Sequence, residues 1–289
     1  MNPIVENSKT QAVSINKSLG LVAGEGKLPA ILANAAQEKG YKVTAFALSK
    51  DAYNILEKIV DKVHLIAPTQ LGKNKDLFLS EGLREVVFIG KVPKLNLLAN
   101  LTKFDWTAIK ELSRLPNFSD DTIQCAMGDF MERHGVKVLT QSEFLSHLFP
   151  DVGVLSKRPP TAEEYADINY GLKVAKEIAR LDIGQTVIVR DRMVIAIEAI
   201  EGTDEAIKRA VSYTHAPVVV VKVAKPNQDQ RFDIPTAGLN TLQAMYAGKP
   251  GGVLALEANE TLVVEQEEMV KFCDKHKMSM VAVSGNKNE

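Results

Sequence analysis

Three cations and two carboxylates crowd the stretch from Lys222 to Gly238: Lys222, Lys225 and Arg231 against Asp229 and Asp233, with Pro226 and Pro235 stiffening the backbone. Lys and Arg neutralise non-bridging phosphate oxygens, and a carboxylate beside them can hold a divalent metal or orient a water. The β-branched run Pro217-Val-Val-Val-Val221 immediately upstream reads as a buried strand, so the charges should emerge at a strand's end. In open α/β sheets ligands bind there. A solvated loop with a proline-fixed turn is the plainer explanation of the same residues. Against it, Asp233 precedes Ile234-Pro235, where proline restricts the backbone in a way that suits a held carboxylate.

Three further clusters have two readings each. Gly24-Glu25-Gly26-Lys27 lies between a strand pattern and a helix pattern, as a tight turn or as a phosphate cradle of backbone N–H groups and one lysine. A dinucleotide fingerprint is disfavoured, because Pro29 stands near the expected third glycine and Leu48-Ser49-Lys50 replaces the expected acid. Glu198 and Glu201 precede Thr203-Asp204; the latter pair suits a helix cap, while the glutamates offer oxygens to a hard cation such as Mg²⁺. Asp120-Asp121 suits an acidic helix start or a site carboxylate. From about 95 to 115, Leu98, Leu101, Trp106, Ile109 and Leu112 recur near helical spacing, which reads first as core and second as the border of an acyl-chain groove that includes Phe104. The five histidines show no zinc spacing, and no Gly-x-Ser-x-Gly elbow or Walker loop occurs.

The elements that must carry these residues alternate between strand and helix. Strand patterns at 19–23, 42–48, 62–66 and 85–89 enclose helical patterns at 28–39, 51–60 and 74–82, with a further helix at 120–134 and a closing strand at 136–139. Ser156-Lys-Arg-Pro159-Pro160 is the best boundary signal. Thr161-Ala-Glu-Glu164 then forms a capping box opening a helix to about Arg180. Strands at 185–189, 194–198, 218–221, 253–256, 261–264 and 278–283 alternate with helices near 204–212, 239–247 and 266–276. The predicted fold class is α/β with two α/β domains, an N-terminal Rossmann-like parallel sheet and a C-terminal mixed α/β domain. Its predicted divisions are a loose tail over 1–17, a first domain over 18–155, a linker over 156–161 and a second domain over 162–289.

At 289 residues with 45% hydrophobic and 25% charged content, the chain can bury two cores. A net charge of −1 gives nonspecific nucleic-acid binding no support, so any anion site is local. Cys125 and Cys273 are too far apart and too isolated to suggest a disulfide framework or structural zinc, and a reducing cytosol is the simplest home. The first seventeen residues lack a signal-peptide apolar core, and no apolar run approaches the roughly 20 residues needed to span a bilayer.

Five ordered motifs resemble the UDP-2,3-diacylglucosamine pyrophosphatases of the LpxI type: Gly20-Leu-Val-Ala-Gly24-Glu-Gly26-Lys-Leu-Pro29, Asp120-Asp121, Arg180-Leu-Asp182-Ile-Gly184-Gln185, Glu198-Ala-Ile-Glu201-Gly202-Thr203-Asp204, and Lys225-Pro-Asn-Gln228 followed by Arg231-Phe-Asp233-Ile-Pro235-Thr236-Ala-Gly238. The resemblance runs from about Leu19 to the C-terminus. It implies a two-domain, Mg²⁺-dependent enzyme of lipid A synthesis that binds UDP-diacylglucosamine in an interdomain cleft and hydrolyses its diphosphate to UMP and 2,3-diacylglucosamine 1-phosphate, with attack at the sugar-linked phosphorus. The family's essential aspartate, in an Arg-x-Asp-Leu-Pro motif, falls on Asp233, with Ile234 here in place of leucine. Glu25 stands where the family has a glycine triplet.

On that resemblance Asp233 is the expected catalytic residue. Lys222, Lys225, Gln228, Arg231, Thr236, Gly24, Gly26, Lys27 and Asp121 are the expected substrate contacts, and Asp233, Asp229, Glu198 and Glu201 the candidate Mg²⁺ ligands. A diacylated substrate further implies a cytoplasmic protein peripheral to the inner leaflet, and a homo-oligomer is compatible with the family. The competing class is a noncatalytic nucleotide-sugar or lipid-binding regulator on the same fold, which would have less use for Asp233. A dinucleotide-dependent oxidoreductase is a weaker third.

Overall fold

The computed structural model describes residues 17–91, 104–115, 120–226, 228–246 and 249–285, the side chains of 120 and 121 excepted. The expected tail thus lies outside the described residues except for Lys17, which opens the first strand. The chain forms two compact units, one of Met1–Arg114 with Gly128–Val138 and one of Leu115–Met127 with Leu139–Glu289.

In the first unit, β1 (Lys17–Ala23), β2 (Tyr41–Ala47), β3 (Lys62–Leu65), β4 (Glu85–Ile89) and β5 (Lys137–Val138) form a sheet ordered β3-β2-β1-β4-β5. Every pairing is parallel. Parallel strands must be covered on both faces, which is why β1 and β2 read as near-continuous apolar runs: Leu19, Leu21, Ala23, Ala45 and Ala47 are fully buried. The crossovers are α1 (Leu28–Glu38), with a proline in its first turn, α2 (Lys50–Leu56), capped by the Ser49 hydroxyl on the Ala52 N–H, and α3 (Leu71–Ser80). The predicted helix over 51–60 stops short, at Leu56.

The apolar stripe over 95–115 departs from the core reading. Leu98 and Leu101 lie outside the described residues, and α4 (Trp106–Leu112) leaves Trp106 79% and Ile109 46% exposed while burying Ala108. Asp105 starts this helix through its carboxylate on the Ala108 N–H and also accepts from Gly72 N–H at the start of α3. The helix α5 (Asp120–Arg133) follows.

The second unit contains α6 (Ser142–Leu145), β6 (Gly153–Val154), α7 (Ala162–Arg180), β7 (Thr186–Arg190), β8 (Met193–Ile197), α8 (Thr203–Thr214), β9 (Val219–Lys222), β10 (Thr236–Ala237), α9 (Leu239–Tyr246), β11 (Val253–Glu257), β12 (Leu262–Val263), α10 (Gln266–His276) and β13 (Ser279–Val283). Its six-stranded sheet is ordered β6-β13-β11-β9-β7-β8 and is mixed: β13, β11 and β9 run parallel, while β6, β7 and β8 pair antiparallel. One face packs Val187, Val189, Val219, Val221 and Ala255 on Ile168, Ala175 and Ile178 of α7. The other packs Ile188, Val220, Leu254 and Leu256 on apolar residues of α8, α9 and α10.

Two differences from the sequence reading have local causes. The chain passes between the units at Leu115, Gly128 and Leu139, and the predicted linker at 156–161 lies within the second unit. Gly153–Val154 already pairs with β13, the Ser156 hydroxyl accepts the Met280 N–H, and Arg158 forks onto Glu164 while donating to the carbonyls of Lys277 and Gly252. Consecutive prolines marked an extended segment, and hydrogen bonds hold it to the second unit. The predicted strand at 261–264 pairs with the two residues Thr236–Ala237, in a separate two-stranded sheet.

The β7–β8 hairpin turns through Asp191 and Arg192, both at positive φ (51° and 56°), the primed geometry that usually recruits glycine. The Asp167 carboxylate of α7, 7% exposed, accepts both of their backbone N–H groups at 2.9 and 2.6 Å and holds the turn. Asp167→Ala is expected to lower the unfolding free energy by about 1–3 kcal/mol, read from the urea midpoint, because two partly buried donors lose their acceptor.

Candidate functional site

The charged segment leaves β9 at a sheet end, as the β-branched run predicted, and its apolar residues pin it down. Phe232, Ile234 and Pro235 are buried. Gln141, 3% exposed, donates through Nε2 to the Phe232 carbonyl at 2.8 Å, and its N–H meets the Gln230 carbonyl at 2.9 Å. Gln228 closes the loop from inside: its Oε1 accepts Lys225 N–H at 3.0 Å, while Nε2 donates to the Asp233 carbonyl at 2.8 Å and to Asp233 Oδ2 at 3.2 Å. Gln185, entering β7, adds a long contact of 3.5 Å from Nε2 to the same Oδ2. Asp233 is thus a half-buried carboxylate aimed by two amides.

The cations of the segment differ in their partners. Lys225 Nζ pairs with Asp182 Oδ1 at 2.6 Å. Arg231 forks onto Asp229, Nε to Oδ1 at 3.1 Å and Nη2 to Oδ2 at 2.9 Å, and lies over the Phe232 ring. Lys222 is 8% exposed, and its Nζ donates to the Thr203 hydroxyl at 2.8 Å, which donates in turn to Glu198 Oε1 at 2.7 Å. Among the described residues no carboxylate lies within ion-pair distance of Lys222. A desolvated ammonium with only a neutral partner is costly, and an anionic ligand would relieve that cost.

The four candidate metal ligands are not gathered into a cage. Among the described residues no group of three or more His, Cys, Asp or Glu is placed to hold a metal. Asp229 is taken up by Arg231. Burial works to raise the Asp229 carboxyl, but the hydrogen bonds and charge of Arg231 together outweigh it and hold the group below the usual carboxylate range. Glu201, at the surface, is bound by Arg209; its own backbone N–H and then Arg209 lower its carboxyl. Glu198 accepts from Thr203 and, at 3.4 Å, from the Gln185 N–H. Gly184 lets the strands come this close, since a Cβ there would sit 2.2 Å from the Glu198 carbonyl oxygen.

Two features escaped the sequence assignments. Thr203, a possible helix cap by sequence, does not cap: the N-cap is Gly202 with no side-chain cap bond, and the Thr203 hydroxyl instead bridges Lys222 and Glu198. Gln185, quoted within a motif but given no role, has its Oε1 buried and without a hydrogen-bond partner among the described residues. The position of Gln185 directly after the close-packed Gly184 was the available signal. The Asp233 carboxylate is a hard donor of the kind Mg²⁺ takes, since that ion binds through one or two carboxylates, retained waters and substrate phosphate oxygens. The donor chemistry of Asp233 therefore suits the ion without a cage.

The other expected contacts divide between the units. Thr236 sits in β10, with its hydroxyl turned back onto the Ile234 carbonyl. Asp121 begins α5, and its side chain lies outside the described residues. Gly24, Gly26 and Lys27 belong to the first unit, after β1. Gly24 has a packing reason of its own, since a Cβ would sit 2.5 Å from the Lys91 carbonyl oxygen, across the bridge that joins Glu25 to Lys91. Gly26 has φ 104° and Lys27 adjoins the start of α1. Phe104 lines an open depression of about 770 Å³ with Leu65, Ile66 and Leu77 in the same unit.

Comparison with known proteins identifies the family. Residues 18–148 match the family model described as the LpxI N-terminal domain, and residues 151–281 match the LpxI C-terminal domain. A relative from Caulobacter vibrioides, UDP-2,3-diacylglucosamine pyrophosphatase LpxI, is 30% identical over 269 residues, covering 89% of this chain and 94% of the relative. Among solved structures, an ADP complex of N5-carboxyaminoimidazole ribonucleotide synthetase is 17% identical, with TM-score 0.24 over 68% of this chain and 45% of that one. The biotin carboxylase domain of the Hydrogenobacter thermophilus 2-oxoglutarate carboxylase is 15% identical, with TM-score 0.25 over 67% of this chain and 41% of that one. Likeness at that level carries no argument.

Proposed function

This chain belongs to the LpxI family, and from that premise we propose that it is a Mg²⁺-dependent hydrolase that splits the diphosphate of UDP-2,3-diacylglucosamine into UMP and 2,3-diacylglucosamine 1-phosphate. The observation that carries the reading is Asp233, held by Gln228 and Gln185 in the same loop that bears Lys225 and Arg231. Asp233 would hold Mg²⁺, which when bound supplies charge neutralisation at the phosphate oxygens. Asp233 orients the attacking water and takes up its proton. Lys222 supplies the positive charge that the diphosphate meets. Lys225 and Arg231 are drawn into the clamp only by exchanging Asp182 and Asp229 for phosphate oxygens, so these pairs serve to hold the two side chains in place beforehand. Gln228 and Thr236 shape the loop, and Gly24, Gly26, Lys27 and Asp121 are the proposed remaining substrate contacts.

No helix among the described residues is long and apolar enough to cross a membrane. The diacylated substrate is the reason to propose that the work is done at the cytoplasmic face of the inner membrane, by peripheral contact.

Offered UDP-2,3-diacylglucosamine, UDP-N-acetylglucosamine and NADH in parallel, the purified protein is expected to release UMP from the diacylated substrate alone, to stop on addition of EDTA and to resume with Mg²⁺. Absence of UMP with Mg²⁺ present would overturn the assignment.

A further inference from the structure

One ion pair has no part in the chemistry above: Lys176 of α7 and Glu257 at the end of β11. The pair lies beside the end of β9, where Lys222 is opposite Leu256. Glu257 is 3% exposed, and both of its carboxylate oxygens accept from Lys176 Nζ at 2.6 Å. Each partner also holds one backbone group of the same residue. Glu257 Oε2 accepts the Ala224 N–H at 2.8 Å, and Lys176 Nζ donates to the Ala224 carbonyl at 3.1 Å. Just before it, the Val223 N–H is met by the Gln185 carbonyl at 3.0 Å.

We propose that Lys176 and Glu257 are positioning residues that fix the Ala224 peptide groups and thereby aim the next residue, Lys225, at the diphosphate. The inference rests on the hydrolase reading given above. Its physical basis is that the regular ladder ends at Lys222, so the backbone groups of Ala224 need partners from elsewhere. Ala224 directly precedes Lys225, and a rotation of its peptide planes would redirect that cation, while Lys222 is held by the ladders on both sides of β9. A largely buried ion pair is a weak source of stability, since apolar replacement of both partners is often neutral or stabilising. Its value here is directional.

The test uses the full chain as the double variant Lys176→Met with Glu257→Leu, and as Lys176→Arg alone. In the double variant kcat is expected to fall about 10- to 100-fold with little change in KM, a loss typical of misplaced catalytic groups. Lys176→Arg, which keeps charge and donors, is expected to retain most of the rate. Amide hydrogen exchange over 223–228 should speed up about 10-fold in the double variant while the strands of the sheet keep their protection. Wild-type kcat in the double variant overturns the proposal, and so does unchanged exchange over 223–228. An inactive wild type would overturn the hydrolase reading instead, and the exchange result would still decide whether the pair fixes the segment.

Discussion

Asp233→Asn is expected to leave a folded protein whose UMP release falls by about three orders of magnitude, the scale on which a positioned general base and metal ligand contribute. The substitution keeps the shape of the side chain and removes its charge. Gln228 and Gln185 would still lie against it, so the loop should hold, and Gln141 would still anchor the Phe232 carbonyl. Substrate binding, measured by calorimetry with UDP-2,3-diacylglucosamine, should change far less than turnover. Near-normal turnover would remove Asp233 from the chemistry and leave it a loop residue.

Lys222→Met should separate activity from stability. The ammonium is buried against the Thr203 hydroxyl and has no ion-pair partner among the described residues. Methionine fills a similar volume without the desolvation cost, so the melting temperature should hold or rise. Activity should fall by about 10²- to 10³-fold, the scale of losing one preorganised charge contact to a developing anion. A variant that melts lower and keeps its rate would show that Lys222 serves the fold.

The two experiments together distinguish a catalytic site from a binding surface. A noncatalytic binder would lose affinity with Lys222 and be indifferent to Asp233, whereas the hydrolase loses turnover with both.

The alternation of strands and helices was legible in the sequence because burial imposes a period on the residues themselves. Leu19, Leu21 and Ala23 had to be apolar to be covered on both sides, and Thr161 with Glu164 had to sit three apart to cap a helix reciprocally. The place of the charged, proline-bounded loop at the end of a strand was legible as well, through the β-branched run that precedes it. The partners of those charges were not. Lys225 meets Asp182 and Lys222 meets Thr203, each far away in the chain, and only the folded sheet brings them together. The same holds for Thr236–Ala237, too short to show a period and defined by its pairing with Leu262–Val263. Trp106 shows the opposite failure, since helical spacing marks a face without saying whether anything covers it. Sequence determined which segments are strands and helices and where the charge collects, because those are local consequences of residue type and spacing. Tertiary structure alone decided which charges are neutralised and which wait for a ligand, because that depends on contacts between residues distant in the chain.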